Sequence, residues 1–142
     1  MAGWYECKIK YETTDLYGKS KTVSELYLID AVSFTEAETR LYKMLKDEIN
    51  VDFIVSGIRP TKASEIVPSD SVDIKWYKAK VIYIDEDSGK EKRTGLFMYV
   101  AGNNISEALE GLIKSLSTIL IPYEIDSIGL TKIIDIFPYS AK

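Results

Sequence analysis

Histidine is absent from the 142 residues of this chain, and cysteine occurs once. Without histidine, the commonest general base, the usual partner of a serine or cysteine nucleophile and the most frequent metal ligand drop out together. The lone Cys7 excludes an internal disulfide, which suits a reducing cytoplasm, and it offers no Cys–Cys or Cys–His spacing for zinc. It shares an apolar strand face with Tyr5 and Ile9, the setting of a small core residue rather than a nucleophile. The eight glycines are scattered and form neither a phosphate-cradling loop nor a dinucleotide fingerprint. Asp85 and Asp87 sit in a predicted turn without the calcium-loop pattern, so they read as solvated turn residues. No apolar run approaches the ~20 residues that span a bilayer, and the opening MAGWYECKIKY is a charged strand pattern rather than a signal peptide. The expectation is a cytoplasmic protein with no cofactor, no metal, no membrane partner and no enzymatic activity.

Composition is that of an ordinary globular chain, 46% hydrophobic and 28% charged. A chain of this size buries roughly two-thirds of its unfolded surface and needs no staples. The net charge of −4 means that any phosphate-binding surface must be a local basic patch.

The chain says nearly the same thing twice. WYECKIKY at residues 4–11 returns as WYKAKVIY at residues 76–83. A Gly-Lys pair follows in each half (Gly18 and Lys19; Gly89 and Lys90). Next come an apolar run, a helix start, a Thr-Lys pair (Thr61 and Lys62; Thr131 and Lys132) and an acidic-apolar-apolar-proline close (residues 65–68 and 135–138). The offset drifts only from about 72 to about 70 residues, the mark of a duplicated supersecondary unit.

Within each half the periodicity predicts strand, strand, helix, strand, short strand. Tyr5, Cys7, Ile9 and Tyr11 alternate with Trp4, Glu6, Lys8 and Lys10; Tyr77, Ala79, Val81 and Tyr83 alternate with Trp76, Lys78, Lys80 and Ile82. Gly89 suits a left-handed hairpin position. Ser33 with Glu36, and Asn104 with Glu107, have capping spacing. Ala37, Leu41, Met44 and Leu45 form one helix stripe; Ala108, Leu109, Leu112, Ile113 and Leu116 form a wider one. Gly111 inside the second helix reads either as a close-approach point or as a tolerated weak spot. Residues 68–73 form the linker. The fold expected is α+β: a single domain over residues 1–142, built from a duplicated ββαββ unit (repeats 3–68 and 75–138), with two antiparallel sheets and two helices about a pseudo-twofold axis.

Between the two helices lie four strand segments in a row (residues 53–58, 63–67, 74–84 and 93–100). That order resembles a circularly permuted form of the whirly and PUR-type single-stranded nucleic-acid binders. At the sequence level the motifs WYECKIKY (residues 4–11), YLIDAVSFTEAE (27–38) and WYKAKV (76–81) closely resemble a family of short proteins from gut bacteria and their phages, a domain of unknown function. That resemblance spans nearly the whole chain and implies no catalytic or binding residues.

The first strand of each half carries a tryptophan on the same face as lysines: Trp4, Lys8 and Lys10, then Trp76, Lys78 and Lys80. An indole beside ammonium groups suits sequence-tolerant binding of single strands, with bases stacked on the ring and phosphates held by lysine. Arg93 joins this candidate nucleic-acid-binding set, and Lys19, Lys21, Lys75, Lys90 and Lys92 would extend it. The same residues admit a second reading. Lysines on a solvent face are ordinary strand chemistry, and the tryptophans would then plug a sheet junction or a subunit contact. The function expected is non-enzymatic single-stranded nucleic-acid binding by a homo-oligomer, a dimer or higher. The alternative is a self-assembling scaffold or host-protein interaction protein, phage-encoded. Capture of a small nucleotide between the halves ranks below both.

Overall fold

Period-two alternation becomes two long hairpins. The structure, a computed structural model, describes residues 3–49 and 51–138. Strand β1 (Gly3–Thr14) pairs antiparallel with β2 (Ser20–Ala31), and Cys7, Ile9, Tyr27 and Ile29 point to one buried face. Helix α1 (Phe34–Leu45) covers that face with Ala37, Leu41 and Leu45. The helix starts where Ser33 accepts the Glu36 N–H at 3.1 Å while the Glu36 carboxylate accepts the Val32 N–H at 2.9 Å. Strand β3 (Phe53–Pro60) then pairs antiparallel with β1.

The second half repeats this plan. Strand β5 (Lys75–Asp87) pairs with β6 (Lys90–Gly102), α2 (Ile105–Leu116) covers Ala79, Val81, Met98 and Val100, and β7 (Tyr123–Leu130) flanks β5. Ser88 and Gly89 have φ of 56° and 78°, so both central residues of the β5–β6 turn are left-handed. A two-residue hairpin requires this to match strand twist. Asn104 caps α2 by accepting the Glu107 N–H at 2.9 Å, and the Glu107 carboxylate accepts from Ser69 and Ser71 of the linker as well as from the Asn103 backbone, which together hold it below the usual carboxylate range.

The short strands are exchanged between the halves. Strand β4 (Ala63–Val67) leaves the first half and pairs with β6; β8 (Ile133–Phe137) leaves the second and pairs with β2. The sheets are therefore β3-β1-β2-β8 and β4-β6-β5-β7. One compact unit comprises Met1–Thr61 with Lys132–Lys142, the other Lys62–Thr131. The crossing points are the two Thr-Lys pairs. Thr61 donates its N–H to the Trp4 carbonyl at 2.8 Å, and Thr131 donates its N–H to the Trp76 carbonyl at 3.0 Å. Each threonine thus closes its edge-strand pairing, and the chain then departs.

The α+β class, the two four-stranded sheets and the two helices are as expected. Three details differ. The exchanged strands β4 and β8 run parallel to their neighbours, so neither sheet is wholly antiparallel. The four consecutive strand segments do not share a sheet, because β3 stays with β1 while β4 joins β6. The stripe of α2 is narrower than the sequence suggested: Ala108, Leu112 and Leu116 are buried, while Ile113 is exposed. A Cβ on Gly111 would meet nothing within 4 Å, so this glycine serves no close approach; that role falls to Gly102, where a Cβ would lie 2.7 Å from the Ala108 backbone nitrogen.

Candidate nucleic-acid interface

Lys78 and Lys80 of β5 lie on the sheet face opposite α2. Their cross-strand neighbours are Tyr99 and Phe97 on β6, and Gly129 and Ser127 on β7. The Lys78 ammonium sits 4.6 Å from the centre of the Phe97 ring and 6.0 Å from that of Tyr99, within cation–π range. Gly129, beside Lys78, has open space where a side chain would stand. The Lys80 stem runs past Gly95, whose absent side chain leaves room for it. Together Lys78, Lys80, Phe97 and residues 127–131 line a groove of 370 Å3. Among the described residues, the ion pairs involve neither lysine.

The first unit carries different groups at the aligned positions. The registers align Glu6 with Lys78 and Arg59 with Gly129: Glu6 pairs with Arg59 on β3 where Lys78 pairs with Gly129 on β7. Glu6 and Arg59 form an ion pair at 2.8 Å, so an acidic group and its guanidinium partner stand where the second unit has an ammonium over an aromatic ring and an open glycine. Lys8 and Lys10 are exposed on that face, but Lys10 lines a different cavity, of 470 Å3, with Tyr11, Glu12, Val51, Asp52, Phe53 and Ile54.

Three residues expected at the interface stand differently. Trp76 is only 7% exposed. On its face β6 contributes Tyr99 and Ala101, both buried, so that end of the sheet surface is apolar and closed rather than wet. Reading β5 alone hid this, because the neighbour strand decides which end of a face meets water. Trp4 is half-buried, and its carbonyl accepts from Thr61. Arg93 is exposed but engaged: Glu124 and Glu91 both take its guanidinium, the latter at 3.2 Å, and their hydrogen bonds hold it firmly in the charged form. Phe97 is the ring that sequence reasoning missed. Its signal was the register that sets it opposite Lys80.

Cys7 is sealed in the core of the first unit. Burial, helped by the Glu6 charge, pushes its thiol up to about 12, the state of an inert structural cysteine. Among the described residues, no group of three or more acidic or cysteine side chains is placed to hold a metal ion. Nor is any described helix long and apolar enough to cross a membrane.

The chain belongs to a family described as a domain of unknown function, DUF4494, whose model matches residues 3–139. No curated protein matches it significantly.

Proposed function

For a member of that family, we propose non-enzymatic binding of single-stranded nucleic acid in the cytoplasm, through the groove of the second unit. The observation that carries this reading is the pairing of two lysines outside any described ion pair, Lys78 and Lys80, with the Phe97 ring beside an open glycine. The lysines would neutralise successive phosphates while a base stacks at Phe97. A stacked base contributes about 1–3 kcal/mol and is tolerant of sequence. Trp76, being buried, stands outside the contact set, and the ion-paired Arg93 is secondary to the lysines.

The test is fluorescence anisotropy of a labelled oligonucleotide at rising salt. Binding at low salt is expected, with affinity falling as salt rises. Removing one phosphate contact by Lys80→Glu should reduce the salt slope by about 0.7. Phe97→Leu, which keeps apolar volume, should weaken binding while leaving the salt slope unchanged. Absence of binding at low salt by folded protein would falsify the reading.

A second reading, a self-assembling or interaction protein, is favoured by one specific observation: Leu16 and Tyr17 are 99% and 90% exposed on an ordered turn.

A further inference from the structure

The β1–β2 hairpin projects as a free ribbon. Pairing with β3 stops at Tyr11 opposite Phe53, and pairing with β8 begins only at Leu26, so among the described residues the pairs from Glu12–Thr22 to Thr14–Ser20 have no third strand paired beside them. The tip beyond them is fixed by Asp15. Its carboxylate accepts the Tyr17 and Lys19 N–H groups at 2.8 and 2.9 Å, its carbonyl accepts the Gly18 N–H, and its own N–H donates to the Lys19 carbonyl. A turn held by four hydrogen bonds is not a floppy loop, yet it holds Leu16 and Tyr17 out in water. Large apolar groups on an ordered projection mark a contact surface.

A socket lies on the same arm. The 470 Å3 cavity is lined by the apolar Tyr11, Val51, Phe53 and Ile54 and by Lys10, Glu12, Thr22 and Asp52. At the aligned positions the second unit differs in both features. Its tip is polar, Asp87-Ser88-Gly89-Lys90, and at the socket position the registers put Glu124 where Ile54 stands and Arg93 where Thr22 stands. Those two residues form an ion pair across the site. Knob and socket stand together in one unit, and the aligned positions of both are polar or charged in its twin, which is the pattern of surfaces matched to each other. Charge is in keeping with this: beside the knob the Asp15 carboxylate is taken up by the Tyr17 and Lys19 N–H groups, which leaves the Lys19 ammonium, and the socket lining carries Glu12 and Asp52 against Lys10.

We propose that the partner of the Leu16–Tyr17 tip is the Tyr11–Phe53 socket of a second copy of this chain. This deepens the second functional reading and does not depend on nucleic-acid binding. The tip lies about five residues beyond Tyr11 on the same strand, roughly 15 Å at extended rise. A twofold axis midway between them brings each knob onto the other copy's socket. Such an isologous contact closes as a dimer.

Sedimentation velocity over a concentration series, without oligonucleotide, tests this. The native chain should form a concentration-dependent dimer. Leu16→Asp with Tyr17→Ser, both at fully solvated positions, should give a monomer with an unchanged circular dichroism spectrum. Ile54→Arg, at a 63% exposed socket position, should do the same. An equimolar mixture of the two variants should recover a weaker dimer, because one knob and one socket remain intact. A native monomer at every concentration, a dimer indifferent to these substitutions, or open-ended growth beyond a dimer would each overturn the proposal. The first would leave the tip to a different partner, and oligonucleotide binding can fail or succeed independently of all three.

Discussion

Cys7 shows how a residue's chemistry follows from its neighbours. It alternates with charged residues along β1, but its side chain faces α1 and is fully buried. With its thiol near pH 12, almost no thiolate exists at pH 8. A thiol reagent at that pH is expected to leave the native protein unlabelled and to modify one group per chain in denaturant. Rapid labelling of the native protein would mean that the sheet opens or that the burial is wrong. This behaviour was legible in the sequence, because a cysteine between Tyr5 and Ile9 on one strand face belongs to the core. The fate of Trp76 was not legible. Its own strand gives it the same alternation as Lys78 and Lys80, and only Tyr99 and Ala101 on the neighbouring strand show that its end of the face is closed.

At the scale of elements, the starts of the two helices were readable, because Ser33 and Asn104 carry the oxygen each first turn needs. Gly111 is a local weakness in α2: no atom lies within 4 Å of a Cβ built there. Replacing it with alanine reduces the backbone entropy lost on folding without a clash. Gly111→Ala is expected to stabilise by about 1 kcal/mol, read as a raised denaturation midpoint at unchanged slope. Gly102→Ala is expected to destabilise, by about 1–3 kcal/mol, because the added methyl meets the backbone of α2. Equal effects of the two substitutions would contradict this assignment of which glycine has a packing role.

At the scale of the whole molecule, the duplication was visible in sequence but the exchange of short strands was not. Residues 63–67 and 133–137 are brief apolar segments, and alternation does not say which sheet they enter or in which direction. The exchange makes each unit depend on chain from both repeats. Phe137 stacks on Tyr27 at 5.6 Å between ring centres, and Arg40 of α1 donates to the Pro138 carbonyl at 3.0 Å. Truncation after Thr131 should therefore expose the first unit, not the one the deleted segment follows in sequence. Hydrogen exchange is expected to show protection lost in β1 and β2 and retained in β5 and β6. The reverse pattern would refute the exchanged topology.

The two units also diverge in what they present. The first closes its groove with Glu6 and Arg59 and shows an apolar tip; the second leaves Lys78 and Lys80 open beside Phe97 and shows a polar tip. Duplication supplied two copies of one surface, and substitution at a few aligned positions made them different. The most direct measurement is a titration of labelled single-stranded oligonucleotide at low salt against the native protein, Lys80→Glu and its aligned counterpart Lys8→Glu. A marked loss of affinity with Lys80→Glu and little change with Lys8→Glu is the expected result. Equal losses from both, or none from either, would contradict a binding groove confined to the second unit.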